Sequence, residues 1–133
     1  MNAQARAAQN YARVKVQASI EDASPHRIIQ MLFEGALERI AQAKGAMQQN
    51  NIKVKCERID KAVNIVAGLQ GSLKDADTAK RGELAADLDD LYDYIIRALT
   101  EANYKNNTER LDECSRLLGE IKSAWDAIAD QAR

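Results

Sequence analysis

The sequence predicts an all-α fold, an antiparallel up-down four-helix bundle preceded by a short N-terminal helical or extended leader. Three observations carry that prediction. Only one proline, Pro25, and six glycines occur in 133 residues, too few turn formers for a sandwich or barrel. Apolar residues recur at spacings of three and four over four long stretches. Short polar breaks separate the stretches, and short connections make consecutive helices antiparallel neighbours. A chain of this length buries roughly two-thirds of its unfolded surface, enough for its own core.

The elements follow in order within one expected domain, 1–133. Residues 1–20 form the leader, rich in Ala, Gln and Asn at first and then carrying Tyr11, Val14, Val16 and Ile20. It is too short and weakly apolar to hold a helix alone. Ser24 and Pro25 open the first helix, 25–49, as N-cap and first residue. Ile29, Phe33, Ala36, Ile40, Ala43 and Met47 form its heptad seam, which ends at Gln49, Asn50 and Asn51.

The second helix, 52–73, carries a seam of Ile52, Cys56, Ile59, Val63, Val66, Gln70 and Leu73. Gly68 and Gly71 weaken its last third. Asp75 to Gly82 reads as a polar turn. The third helix, 83–103, places Leu84, Leu88, Leu91, Ile95, Ala98 and Ala102 on its seam. Asp87, Asp89 and Asp90 sit near its start, where the helix dipole favours negative charge. Asn106 and Glu109 suggest a capping box for the fourth helix, 107–131. Its seam is Leu111, Cys114, Leu118, Ile121, Trp125, Ile128 and Ala132.

Several function classes recede on the same grounds. Lys and Arg number 19 against 20 Asp and Glu, a net charge of −1, without the basic excess of a nucleic-acid binder. The opening residues lack the apolar core of a signal peptide, and no stretch is long and apolar enough to span a membrane. Cys56 and Cys114 are far apart, with no C-x-x-C spacing, and read as reduced, buried thiols. The lone histidine, His26, cannot supply the paired Glu-x-x-His motifs of a di-iron bundle. Asp87, Asp89, Asp90 and Asp93 lack a cation-loop pattern and read as a solvated face. Lys53, Lys55, Arg58 and Lys61 read as a second, basic one. Nothing assembles nucleophile, base and orienting group, so no catalytic residue, metal or cofactor is expected.

What remains is a surplus of apolar residues. A bundle helix needs about three apolar positions in seven. Helix two adds Val54, Ala62, Ile65 and Leu69; helix three adds Tyr92, Tyr94, Ile96 and Leu99. Two readings stay open for each of them. They complete the core, or they line an apolar groove for a partner's amphipathic helix.

Five stretches resemble, in order and with matching spacing, the flagellar secretion chaperones of the FliS family. They are Tyr11, Val14 and Val16 leading to Ala23–Ala36; Lys61–Val66; Leu91–Ile96; Ala102-Asn103 with Asn106-Asn107; and Ala124-Trp125. Lys80-Arg81-Gly82-Glu83 departs from a Gly-Gly-Glu turn common among relatives. The resemblance implies a cytosolic, non-enzymatic export chaperone that binds the disordered C-terminal segment of flagellin. It would prevent premature polymerisation and assist delivery to the flagellar export apparatus. Export gate components are a further expected partner, nucleic acid is not, and the protein is expected to be a monomer or weak homodimer that is not embedded in a membrane. Tyr11 matches the family's N-terminal tyrosine, which makes Tyr11, Val14 and Val16 candidate partner-binding residues. Pattern adds Ile65, Leu69, Tyr92, Ile96 and Leu99. The contrasting expectation is a self-associating structural or regulatory helical module without a flagellin client.

Overall fold

The computed structural model describes residues 23–75 and 78–131. The expected leader, and with it Tyr11, Val14 and Val16, lies outside the described residues. Four helices follow one another: α1 Pro25–Gln48, α2 Ile52–Asp75, α3 Thr78–Lys105 and α4 Thr108–Gln131. No strand occurs among the described residues. Each helix packs on the next, and α4 closes the ring against α1.

Hydrogen bonds between helices fix the antiparallel sense. At one end of the α1–α4 pair, Gln30 Nε2 donates to Asp126 Oδ1 at 2.6 Å. At the other, Lys44 Nζ lies 2.8 Å from Asp112 Oδ1. As one partner's number rises, the other's falls. The α2–α3 pair behaves the same way, with Lys55 bonded to Asn103 and Gln70 to Asp89. One end of the bundle therefore gathers the start of α1, the end of α2, the start of α3 and the end of α4. The opposite end holds the α1–α2 and α3–α4 connections.

Local sequence explains the helix ends. Ser24 Oγ accepts from the Arg27 backbone N–H at 3.1 Å, with Pro25 in the first turn. Asn50, at φ 59°, turns the chain out of α1, and Asn51 Oδ1 then caps α2 by accepting from Val54 N. At the α3–α4 connection the sequence points to Asn106 as the cap, but Asn107 takes that role. Its Oδ1 accepts from Arg110 N at 3.2 Å. Asn106 instead occupies the left-handed region at φ 51°.

The polar turn expected from Asp75 to Gly82 is shorter than its composition suggests. α2 continues through Asp75, and helix resumes at Thr78. Gly82, at φ 53° and ψ −126°, then interrupts α3. Only glycine adopts that backbone geometry at little cost, so the break sits there. Asp87, Asp89 and Asp90 remain in the early turns of the helix that restarts after it.

The core runs along the ring's axis. Phe33, Ile40, Val66, Ile95, Leu111 and Leu118 are 2% exposed or less. In α1 the buried residues are the expected seam, Phe33, Ala36, Ile40, Ala43 and Met47, joined by Ala46. In α2 and α3 the buried stripe is rotated from the expected one. α2 buries Lys55, Ile59, Ala62, Val66, Leu69 and Leu73, which also keep three-four spacing. Cys56, Val63 and Gln70 fall on the flank and are half-buried. The physical cause is that α2 and α3 carry two interleaved apolar heptads, and each helix touches two neighbours. Which heptad lies deeper depends on the angle at which the helix meets both, information that spacing alone does not hold.

Candidate binding surface

Three of the groove candidates are core residues. Leu69, Tyr92 and Leu99 are 1%, 4% and 0% exposed, so none faces solvent in this structure. Burial also pushes the Tyr92 phenol up to about 12, since the phenolate would lose its hydration there. The reason for the correction is the second heptad. Tyr92, Ile95, Leu99 and Ala102 form the deep stripe of α3, and Leu69 completes that of α2. Ile65 and Ile96 are half-buried and rest against the core's edge. A Cβ built on Gly35 would stand 3.4 Å from Ile65 Cδ1, which places Ile65 against α1. The five candidates on α2 and α3 therefore do not form one open groove.

The exposed apolar side chains lie where the sequence expects seams to continue. Ile52, Leu84 and Ile128 are 68%, 65% and 45% exposed. Ile52 and Ile128 sit near the ends of α2 and α4, and Leu84 two residues past the break at Gly82. Tyr104 is also exposed, on the last turn of α3. Ile28 and Ile128 share the end of the bundle at which α1 begins. There Trp125 stacks on His26 with ring centroids 4.6 Å apart and the planes 5° from parallel. Trp125 Nε1 also donates to the His26 carbonyl at 3.0 Å. Lys122 and Gln30 both donate to Asp126 and hold its carboxyl below the usual range. These contacts fasten the last turns of α4 to the first two turns of α1. Sequence spacing points to neither the Trp125–His26 nor the Gln30–Asp126 pair, because those partners lie almost a full chain apart.

Among the described residues, two clefts between helices stand out. An apolar one of about 280 Å³ is lined by Leu73, Lys74, Gly82, Ala85, Ala86 and Asp89, beside the break in α3. A polar one of about 240 Å³ is lined by Tyr94, Arg97, Ala98 and Glu101 of α3 and by Arg110 of α4.

The residues weighed for chemistry have settled roles. Lys55, expected on a solvated basic face, is 6% exposed. Its ammonium donates to the Asn103 carbonyl at 3.0 Å and to Asn106 Oδ1 at 2.6 Å, closing the end of α3. Asp89, Asp90 and Asp93 bring carboxylates within 4.8 Å of one another. Gln70 Nε2 donates to Asp89 and Asp93 at 3.0 and 2.7 Å, so two members of the cluster serve the α2–α3 contact. Cys56 and Cys114 are free thiols. Cys56 is only half-buried, unlike the expectation, while burial pushes the Cys114 thiol up to about 12. Among the described residues, no helix is long and apolar enough to cross a membrane.

The family model described as flagellar protein FliS matches residues 7–132. The flagellar secretion chaperone FliSB of Pseudomonas aeruginosa is 48% identical over 124 residues, 93% of this chain and 96% of the relative. The flagellar secretion chaperone FliS of Vibrio cholerae is 47% identical, over 90% of this chain and 86% of the relative. That of Salmonella typhimurium is 40% identical, over 92% and 89%.

Proposed function

Since the chain belongs to the flagellar protein FliS family, we propose that it is a cytosolic export chaperone that binds the disordered C-terminal segment of flagellin. The observation that carries this reading is the family match over residues 7–132. Relatives named flagellar secretion chaperones match over nearly their whole length. The work of such a chaperone is binding, prevention of premature polymerisation, and delivery to the export apparatus. None of these steps requires a catalytic group.

The physics suits that task. An unassembled flagellin terminus is amphipathic, and its competing partner is the terminus of another subunit. A chaperone must cover the apolar face while leaving the segment releasable. Ordering a disordered segment consumes part of the interaction energy, which keeps affinity moderate over a large surface. Tyr11, Val14 and Val16 of the leader are the residues assigned to client contact. Ile65 and Ile96, half-buried at the core's edge, are the α2 and α3 positions with apolar surface left to offer.

A polymerisation assay tests this. Purified flagellin is seeded with short filament fragments in the presence of rising amounts of the protein. Growth should stop near one chaperone per flagellin. Unchanged growth at excess chaperone would remove the reading. Tyr11→Ala should weaken the inhibition while leaving the melting curve nearly unchanged. A large drop in melting temperature would instead make Tyr11 a packing residue.

A further inference from the structure

The polar cleft between α3 and α4 has a chemistry that the fold does not use up. Arg110, at the start of α4, is fully engaged. Its guanidinium donates to Glu101 Oε2 at 3.2 Å, to Glu113 Oε1 at 3.3 Å and to the Tyr94 hydroxyl at 3.0 Å. The Tyr94 hydroxyl in turn donates to Glu113. Glu101 also takes Lys105 at 3.3 Å. Tyr94 is therefore held rigidly, with its ring forming part of the cleft wall.

Arg97 differs. Among the described residues it makes no ion pair, and its Nε donates only to the Asp93 carbonyl at 3.4 Å. The Asp93 carboxylate accepts from Gln70 of α2 through Oδ1 at 2.7 Å and makes no ion pair with Arg97. The cleft's lining holds two guanidiniums, Arg97 and Arg110, against one carboxylate, Glu101, an excess of one positive charge. At about 240 Å³ the cleft has room for one side chain. The apolar cleft beside Gly82 carries no comparable signal of what fills it.

We propose that this cleft is a subsite for a carboxylate side chain of the bound client segment, with Arg97 as its ion-pair partner and the Tyr94 ring as its wall. The proposal rests on the client reading above and specifies one chemical requirement of it. A planar guanidinium grips a carboxylate through two parallel donors, which an ammonium cannot reproduce. Tyr and Arg are also the side chains that dominate binding hot spots, because both meet a partner with little further ordering. The tethering of Tyr94 by Glu113 and Arg110 supplies that order before the client arrives. The subsite would fix register along a client otherwise held by apolar contacts, which slide easily.

The test is a double-mutant cycle by titration calorimetry at low salt. The probe is a synthetic flagellin C-terminal segment, with a second version whose Asp and Glu residues are replaced by Asn and Gln. Against the first, Arg97→Ala should bind about three- to five-fold more weakly than the unaltered protein, as loss of an exposed ion pair implies. Arg97→Lys should recover part of the loss, and Arg97→Glu should bind more weakly than Arg97→Ala. Against the amide version, Arg97→Ala and the unaltered protein should bind alike. Added salt should shrink the difference. Equal losses with both segments, or no loss with either, would overturn the subsite while leaving the client reading intact. No binding to the unaltered protein would overturn both. A dimer seen by ultracentrifugation that dissociates in Arg97→Ala would give the cleft to a second copy and overturn the proposal. Melting curves of the three variants should coincide with that of the parent, since Arg97 is exposed.

Discussion

On the flank of α3 that faces α2, polar side chains bridge the two helices to partners of matched chemistry. Gln70 spans two aspartates, and Lys55 fills the Asn103 carbonyl and the Asn106 side chain. On the flank that faces α4, the network of Tyr94, Glu101, Arg110 and Glu113 closes on itself and leaves Arg97 beside an open cleft. Both flanks belong to one helix and are strongly polar, yet only one is sealed. The difference separates polar residues that hold the fold from polar residues left over for a partner. Charge alone does not distinguish them, because the buried cation is Lys55 and the exposed one Arg97.

The largest expected effect lies beneath both flanks. Leu99→Ala should cost about 3 kcal/mol in denaturant unfolding, the range for a large-to-small change in a closed core. Ile96→Ala, three residues away at the core's edge, should cost about 1 kcal/mol. Equal losses would mean that Leu99 is less enclosed than its 0% exposure indicates.

Next comes the sealed flank itself. Lys55→Met keeps the aliphatic length but leaves the Asn103 carbonyl and Asn106 Oδ1 without their donor. It should cost about 2 kcal/mol, typical of a charge-assisted hydrogen bond lost inside a protein. A neutral result would place water in the role assigned to the ammonium.

A smaller, pH-dependent effect separates two tyrosines of α3. Burial raises the Tyr92 phenol from 10.0 to about 12, while Tyr94 is raised mainly by its hydrogen bond to Glu113. The folded state therefore keeps a Tyr92 proton that the unfolded chain releases earlier. Its contribution to stability is complete below pH 10 and disappears as pH rises from 10.0 toward 12. Tyr92→Phe should flatten that part of the pH–stability curve. Tyr94→Phe should alter it little, because Tyr94 lies at the surface. Matching curves for the two variants would contradict the assignment of Tyr92 to the core.

The smallest expected change in stability belongs to the open flank. Arg97→Ala should stay within about 0.5 kcal/mol of the parent, as is usual for an exposed side chain. A loss near that of Lys55→Met would make Arg97 part of the fold and erase the contrast between the flanks.

How far the sequence was legible varies from helix to helix. The helical class, the antiparallel sense, the Ser24 cap and the seam of α1 follow from spacing and turn chemistry. In α2 and α3, spacing supports two heptads equally. The deeper one, which holds Leu69, Tyr92 and Leu99, is selected by two-sided packing. Ile52, Leu84 and Ile128 fit a seam by number but lie near a helix end or the Gly82 break and are exposed. Lys55 reads as surface because lysine usually is. Its burial depends on two acceptors about fifty residues away in the chain. The cleft between α3 and α4 depends on long-range pairs of the same kind, which periodicity does not encode. The family resemblance covered nearly the whole chain because it reads many positions together, none of them decisive alone.

Titration calorimetry of the intact protein with a synthetic flagellin C-terminal segment tests the chaperone assignment most directly. The account predicts one-to-one binding of submicromolar affinity with a negative heat-capacity change, the mark of apolar surface buried as the segment orders. No heat at any temperature and no comigration of the two on gel filtration, with the protein instead forming a tight dimer, would contradict it.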